Sequence, residues 1–266
     1  MTRYEQVFST LAATKKTAFI PFAVAGDPDL KTSEAIFKTY IDAGADILEI
    51  GYPFSDPIAD GPVNQRAGMR AIAAGLNHDS FFALMARLRA YSDIPFGLLL
   101  YANTVHHLGY EEFCRRAAEA GIDSLLVADM PPEESREMTA AMRMHRLATV
   151  HIVTELTPED RIDLICKQID GFVYVVSRLG PTGANQQLSQ SVASTLATVR
   201  RHTSLPLCVG FGLSTPDHVR EIAAAGANGA IVGSALVRII EEEHTRPEEM
   251  LRTLDSRVRA FKHAIA

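Results

Sequence analysis

Two carboxylates, Glu49 and Asp60, lie eleven positions apart, at the end of a short apolar segment and in the loop that follows it. Alternation within Ile47–Ile50 puts Ile47 and Glu49 on one face and Leu48 on the other, so Glu49 is predicted to point into a barrel. A carboxylate in such a strand must be paired, be protonated with a raised pKa, or face a cavity, because an isolated buried charge is very costly. Two carboxylates in different environments can divide the roles of acid and base. The alternatives are a solvated or salt-bridged glutamate and an ordinary turn aspartate.

Two loops have compositions that suit functional segments. The loop Gly51–Pro62 is long for a connection between a strand and a helix, and it holds three prolines, two glycines and Asp60. Long loops with rigidity of their own are disproportionately functional. The segment Ser177–Gln187 is rich in glycine and polar residues. It is predicted to be a lid in which Arg178 and Thr182 become ordered around an anionic ligand.

Two strand ends near the C-terminus predict a phosphate site. Gly210 and Gly212 precede a helix start of the Ser/Thr/Pro type, and Gly233 and Ser234 repeat the arrangement after the last apolar run. Glycine lets backbone N–H groups approach an anion, and a helix N-terminus adds donors and a favourable dipole. The motif lacks the third glycine and the acidic ribose partner of a dinucleotide fingerprint, which disfavours a nucleotide cofactor. Tight turns that simply require glycine are the alternative interpretation.

Several classes of protein and of chemistry are disfavoured. The 26 Lys and Arg against 32 Asp and Glu leave a net charge of −6, with no basic block for nucleic acid or an anionic membrane surface. No apolar run approaches the roughly 20 residues of a membrane span, so a cytoplasmic protein is expected. None of the six lysines ends a strand, the nine histidines show no metal-ligand pattern, and the three cysteines form no CxxC pair. The chemistry that the sequence still favours is acid–base catalysis on a phosphorylated substrate, without a metal or cofactor.

Short apolar runs alternate with longer amphipathic segments along the whole chain. Several runs contain no polar alternation, as strands buried on both faces of a parallel sheet require. The predicted strands are Ala18–Val24, Ile47–Ile50, Phe96–Tyr101, Ser124–Ala128, Thr149–Val153, Gly171–Val176, Leu207–Val209 and Ala230–Val232. The predicted helices include Glu111–Ala120, Pro132–Arg146, Pro158–Lys167, Ser189–Arg201 and Pro216–Ala225.

One short phrase ends three of the helical segments: DAGAD at 42–46, EAGID at 119–123 and AAGAN at 224–228. Each is typical of a left-handed glycine cap followed by a turn into a strand. Eight repeated β/α units in a chain of this length predict an α/β protein with one domain over residues 1–266, a closed (β/α)₈ TIM barrel. An open doubly wound sheet is the runner-up. In either architecture functional groups belong just past the C-terminal ends of the strands.

Seven stretches of the sequence closely resemble the tryptophan synthase alpha chain family. They are FIPFAVAGDP (19–28), DAGADILEIGYPFSDPIADGP (42–62), GLLLYAN (97–103), VADMPPEE (127–134), SRLGPTGA (177–184), GFGLSTP (210–216) and GAIVGSALVRIIE (229–241). The likeness covers nearly the whole chain, and the stretch that contains Glu49 and Asp60 is very specific. The resemblance implies a TIM barrel with an extra N-terminal helix and extra helices near strands 2 and 8.

The family implies a lyase that cleaves indole-3-glycerol phosphate to indole and glyceraldehyde 3-phosphate in tryptophan biosynthesis. On this resemblance Glu49 is the general acid and base, and Asp60 holds the indole N–H and stabilises positive charge on the ring. The residues expected to line the indole pocket are Phe22, Leu99, Tyr101, Leu126, Ala128 and Tyr174. Thr182 belongs to the closing lid, and those expected to bind phosphate are Gly183, Gly212, Gly233 and Ser234.

The resemblance also implies an α₂β₂ heterotetramer with a tryptophan synthase beta chain. Pyridoxal phosphate is expected in that partner, and no metal or organic cofactor in this chain. Three residues depart from the family pattern. Val24 stands where the family has Thr, Asn64 where it has Ile or a similar residue, and Pro181 where it has Val. Three alternatives stay open: a stand-alone lyase that needs no beta chain, a phosphosugar isomerase or epimerase on the same barrel, and a barrel that only binds a partner.

Overall fold

Parallel strands form the inner layer of the protein. The computed structural model describes residues 1–176 and 185–266, with the side chains of 185–190 outside the description. The strands are β1 (Ala18–Val24), β2 (Leu48–Gly51), β3 (Phe96–Leu100), β4 (Ser124–Val127), β5 (Ala148–Thr149), β6 (His151–Thr154), β7 (Val173–Val176), β8 (Leu207–Gly210) and β9 (Gly229–Val232). Their order in the sheet is β5-β4-β3-β2-β1-β9-β8-β7-β6.

The two ends of this sheet are parts of one strand. Only Val150 separates β5 from β6, and its N–H donates to the carbonyl of Leu125 in β4 at 3.1 Å. Since β5 pairs with β4 and β6 pairs with β7, the two short strands occupy one position and close the ring. The predicted barrel of eight strand positions is confirmed, and the open sheet is excluded.

Helices surround the barrel. They are α1 (Arg3–Ala13), α2 (Leu30–Asp42), α3 (Pro62–Ala73), α4 (His78–Tyr91), α5 (Ala102–Leu108), α6 (Tyr110–Glu119), α7 (Arg136–Met144), α8 (Glu159–Cys166), α9 (Asn185–Arg200), α10 (Pro216–Ala224), α11 (Ser234–Glu243) and α12 (Pro247–His263). The predicted extra helices are present: α1 precedes the barrel, α3 and α4 both follow β2, and α11 and α12 both follow β9. The short α5 after β3 was not predicted. Among the described residues, no helix is long and apolar enough to cross a membrane.

Two predicted helices begin four residues away from their predicted starts. The predicted Pro132–Arg146 begins only at Arg136, because the hydroxyl of Ser135 donates to the carbonyl of Pro132 at 2.9 Å and closes a turn instead. The predicted Ser189–Arg201 begins four residues earlier, at Asn185. Composition places such boundaries poorly because local hydrogen bonds compete with the helix.

Side chains of the strands alternate between the barrel interior and the helix layer. Ile20 and Ile47 belong to an interior cluster that also contains Tyr174, whereas Leu48 and Ile50 pack in the cluster beneath the helices. Both faces are therefore apolar, which explains the nearly continuous hydrophobic runs. The alternation directs Glu49 inward, as predicted.

The three repeated helix-to-strand joints share one geometry. Gly44, Gly121 and Gly226 have φ of +100°, +87° and +97°, values that favour glycine because it lacks a Cβ. The final residue of each phrase then binds the neighbouring strand; the carboxylate of Asp46, for example, accepts the N–H of Phe19 at 2.7 Å. The sequence prediction of left-handed caps is confirmed.

Helix α1 covers the N-terminal end of the barrel. Tyr4 is buried in the interior cluster, and its hydroxyl lies 2.7 Å from that of Ser124 at the start of β4. Arg3 donates to Asp123 at 3.0 Å. Because this end is occupied by packed side chains, a ligand has access to the barrel interior from the opposite end, where the strands finish.

Candidate active site

A cavity opens at the C-terminal ends of the strands. Its volume is about 230 Å³, which is room for far more than one water molecule. The residues that line it come from β1, β2, β3, β7 and β9, from the loops after β2 and β8, and from the N-terminal ends of α3 and α11. They are Phe22, Glu49, Asp60, Gly61, Pro62, Val63, Asn64, Leu99, Tyr174, Phe211, Ile231, Gly233, Ser234 and Arg238. The structure therefore brings Glu49 and Asp60 to the same cavity.

Glu49 is the more deeply buried of the two carboxylates. It pairs with Phe22 of β1 and Gly97 of β3 in the sheet, and only 7% of the residue is exposed. Its carboxyl group has no hydrogen-bond partner among the described residues. Burial, and then the nearby charge of Asp60, raise its pKa to about 8. Glu49 therefore carries a proton at neutral pH and can donate it.

Asp60 has a different environment, because two donors face its carboxylate. The hydroxyl of Tyr101 donates to Oδ2 at 2.9 Å, and the side-chain amide of Asn64 donates to Oδ1 at 3.4 Å. Burial raises the pKa of Asp60, while these two hydrogen bonds oppose the rise. Hydrogen bonds that favour the ionised form are present at Asp60 and missing at Glu49 within the described structure, so the two carboxyl groups are suited to different roles.

Tyr101 also anchors the loop that carries Asp60. Its hydroxyl accepts the backbone N–H of Ala59 at 3.2 Å, and its ring stacks on Phe54 with centroids 5.2 Å apart. At the start of the loop, the N–H of Tyr52 donates to the carbonyl of Leu99 at 2.8 Å. The loop between β2 and α3 is thus held at its base and next to Asp60.

The predicted indole-pocket residues divide into two groups. Phe22, Leu99 and Tyr174 line the cavity. Tyr101 does not line the cavity, but its hydroxyl donates to Asp60, which does. Leu126 and Ala128 line a neighbouring cavity between the loops after β4 and β6. Leu126 still packs in the same interior cluster as Tyr174, with Leu99 and Ala128 against it.

The sequence analysis did not identify three apolar residues and one cationic residue that line the cavity. Val63, Phe211 and Ile231 line the cavity, and Phe211 has a φ of +69° beside Gly212. Arg238 lies at its edge and is the one cationic side chain that lines it among the described residues. A signal was present in the sequence, since Arg238 follows Ser234 by four positions, one helical turn, in GSALVRII.

The glycines of the predicted phosphate site have different structural roles. Gly233 is the N-cap of α11 and lines the cavity with Ser234, so the helix N-terminus opens onto it. Gly212 has a φ of +78°, in the left-handed region. Gly210 is required by packing: a Cβ there would lie 2.3 Å from the hydroxyl of Tyr174.

Four of the residues named in the sequence analysis lie outside the described part of the chain. Thr182 and Gly183, like Arg178 and Pro181, lie within 177–184, outside the described residues, and this covers most of the predicted lid Ser177–Gln187. In the part of the chain that is described, no group of three or more His, Cys, Asp or Glu side chains could hold a metal ion.

Known proteins resemble this chain in sequence and in fold. The sequence model of the family described as tryptophan synthase alpha chain matches residues 8–266. The tryptophan synthase alpha chains of Methanoregula boonei and Methanothermobacter thermautotrophicus are 47% and 44% identical to this chain, over 99% and 93% of it and 98% and 92% of their own lengths. The structure of tryptophan synthase subunit alpha from Legionella pneumophila is similar with a TM-score of 0.92 and 31% identity, covering 100% of this chain and 98% of that one. A chain of Mycobacterium tuberculosis tryptophan synthase gives 0.89 at 29% identity, covering 99% and 98%. This chain therefore belongs to the tryptophan synthase alpha chain family.

Proposed function

We propose that this lyase cleaves indole-3-glycerol phosphate to indole and glyceraldehyde 3-phosphate with Glu49 and Asp60 as its catalytic residues. The observation that carries the assignment is the pair of carboxyl groups in one cavity, of which Glu49 is deeply buried without a hydrogen-bond partner in the described structure and Asp60 is bound by two donors. An acid that is neutral at pH 7 beside a carboxylate supplies both charge states that the reaction needs.

Glu49 acts twice in the proposed cycle. Its carboxyl group first gives a proton to indole C3, which leaves positive charge on the ring. The bond between C3 and the glycerol chain then breaks, and its electron pair returns to the ring. As this happens, the Glu49 carboxylate takes the proton of the adjacent glycerol hydroxyl, which becomes the aldehyde. The proton balance closes, and Glu49 is ready for another turnover.

Asp60 stabilises the cationic ring in this scheme by accepting a hydrogen bond from the indole N–H. Phe22, Leu99 and Tyr174 supply apolar surface around the ring. Because these walls exclude water, the attraction between the carboxylate and the ring is stronger than in solvent. In this scheme the protonated indole ring serves as its own electron sink.

The phosphate end of the substrate is assigned to the part of the cavity that the start of α11 lines. Backbone N–H groups near Gly233 and Ser234 at the start of α11 are suited to an anion. Helical side chains tilt toward the N-terminus, so Arg238 can extend back by one turn beside Ser234. Glu241, three positions after Arg238 on the same helix, pairs with Arg66 at 2.6 Å and with Arg70 at 3.2 Å, which leaves Arg238 available to the phosphate. Gly212 and Gly183 complete the proposed phosphate subsite, and Thr182 belongs to the proposed lid.

A tryptophan synthase beta chain is the partner that the family implies, and we assign pyridoxal phosphate to that chain and no cofactor to this one. We also propose an α₂β₂ assembly in which the loop 53–62 contacts the beta chain. Ile58 in this loop is 83% exposed, a large apolar side chain next to the active site. Contact with a partner would bury it and fix the position of Asp60.

Residues 1–266 are proposed to act as one domain. Both terminal helices pack on the barrel: Phe261 of α12 stacks on Phe19 of β1 with centroids 5.8 Å apart, and Tyr4 of α1 lies inside the N-terminal end of the barrel. Neither helix forms a unit of its own.

The test is indole formation from indole-3-glycerol phosphate by the purified chain, with and without a beta chain at saturating substrate. We expect slow release by the isolated chain and faster release in the complex. Equal rates would favour a stand-alone lyase. The absence of indole in both cases would refute the proposed reaction.

A further inference from the structure

Asn64 has an unusual environment in the wall of the active-site cavity. It is the third residue of α3 and follows Asp60 by four positions. Its amide nitrogen donates to Oδ1 of Asp60 at 3.4 Å, whereas its amide oxygen is buried without a hydrogen-bond partner among the described residues. An unpaired buried acceptor costs stability, and such costs concentrate at functional sites.

The orientation of this amide is set by Asp60. Turning the group over would place its carbonyl oxygen against a carboxylate, and both are acceptors. The N–H must therefore face Asp60, and the amide oxygen is left in a place where the described structure offers it no donor. Stability alone would favour an aliphatic side chain here, because such a side chain has no polar atom to leave unpaired.

We propose that Asn64 is a positioning residue that keeps the Asp60 carboxylate ionised and oriented toward the substrate, and so separates its role from that of Glu49. Tyr101 holds one oxygen of Asp60 and Asn64 holds the other. This inference rests on the proposed function, in which Asp60 must be an anion while Glu49 is an acid. It adds a residue that the resemblance does not assign.

The other groups around Asp60 do not replace this donor. Glu49 and the hydroxyl of Tyr174 interact with Asp60 electrostatically, and burial opposes its ionised form. Arg238, at the edge of the same cavity, has no hydrogen bond or ion pair to Asp60. Loss of the Asn64 amide therefore leaves Tyr101 as the sole side-chain donor to Asp60 in the described structure.

The first arm of the test does not depend on activity. The carboxyl carbon of Asp60, labelled with ¹³C and identified by its loss in Asp60→Asn, is titrated by NMR in the parent chain, in Asn64→Ile and in Asn64→Ala. We expect the pKa of Asp60 to rise in both variants, with no fall in the free energy of unfolding because the unpaired oxygen is removed as well. The matched control is Gln65→Met, since the Gln65 amide donates at 3.0 Å to the backbone carbonyl of Asp60 and not to its carboxylate.

An unchanged pKa of Asp60 in both Asn64 variants, or an equal rise in Gln65→Met, would overturn the proposal. The second arm measures kcat and KM for indole release against pH in the complex with a beta chain. We expect kcat of Asn64→Ile to lie three- to tenfold below that of the parent on the acidic side of the profile, the effect of losing one weak hydrogen bond to a charged group, and the ratio of the two kcat values to approach one as the pH rises. A fall that is the same at every pH would also count against the proposal. If the parent itself releases no indole, the proposed function fails, while the NMR titration still decides the role of Asn64.

Discussion

Replacing Glu49 by glutamine is expected to abolish catalysis and to stabilise the fold, with a gain that depends on pH. The side chain is 7% exposed and lacks a hydrogen-bond partner in the described structure, so its ionised form is strongly disfavoured in the folded protein. Glutamine keeps the size of the side chain but cannot ionise. It therefore removes both the transferable proton and the cost of burying a charge.

The magnitude follows from the shift of the pKa from 4.5 to about 8, caused first by burial and then by the charge of Asp60. A folded-state pKa that is raised means that stability is fully present below the unfolded value and is lost as the pH rises through the folded value. Each pH unit between the two values costs about 1.4 kcal/mol. The free energy of unfolding of the parent should thus fall by roughly 3 kcal/mol between pH 4.5 and pH 7, relative to Glu49→Gln, and should stop falling above about pH 8.

Urea unfolding followed by circular dichroism at several pH values from 5 to 8.5 measures this difference. The control is Glu242→Gln on α11, because Glu242 is exposed and has no ion pair among the described residues. A pH dependence as large in this control as in Glu49→Gln would show that the effect does not come from the burial of Glu49. In parallel, kcat for indole release should fall by 10²–10⁴-fold or more in Glu49→Gln, the range of general acid–base groups. A stability difference between Glu49→Gln and the parent that stays constant from pH 5 to 8.5 would refute the raised pKa, and activity within a few-fold of the parent would remove Glu49 from its catalytic role.

Four further outcomes are expected. The kcat/KM of the parent should decline as the pH rises above about 8, because Glu49 must be protonated in the first step, and a profile that is flat to pH 9.5 would contradict this. Asp60→Asn should lower kcat more than it changes KM, since it removes charge that matters most when the ring is cationic; a raised KM with unchanged kcat would make Asp60 a binding residue only. Arg238→Gln should raise KM about tenfold with little change in kcat, and Arg238→Lys should restore most of the affinity, whereas equal effects of both variants would speak against a charge contact with phosphate. Gly210→Ala should destabilise the fold by about 1–3 kcal/mol in urea unfolding, because its Cβ would meet the Tyr174 hydroxyl at 2.3 Å, and a neutral result would show that Tyr174 can move aside.

The periodicity of the sequence determined the architecture and the direction of one proposed catalytic side chain. Continuous apolar runs require strands buried on both faces, and the three glycine phrases require left-handed caps; Gly44, Gly121 and Gly226 all have positive φ. The inward direction of Glu49 followed from alternation within four residues. Such features are readable because they depend on backbone geometry over a few neighbouring positions.

Composition also suggested Asp60, but only the tertiary structure decided what surrounds it. Tyr101 was expected in the indole pocket; it does not line the described cavity, and its hydroxyl donates to Asp60 across 41 positions of sequence. Leu126 and Ala128 line a neighbouring cavity. The residue type alone could not separate these roles, since they depend on how strands and loops from distant parts of the chain meet.

Gly210 and Arg238 show the same division. The glycine was grouped with the phosphate loop, whereas the close approach of Tyr174 from the neighbouring strand is what requires it. Arg238 reached the cavity edge through the direction of α11, which depends on how that helix leaves β9. Local sequence thus determined which way a side chain leaves the backbone, while the closing of the barrel decided which side chains it meets, because those contacts join residues far apart in the chain.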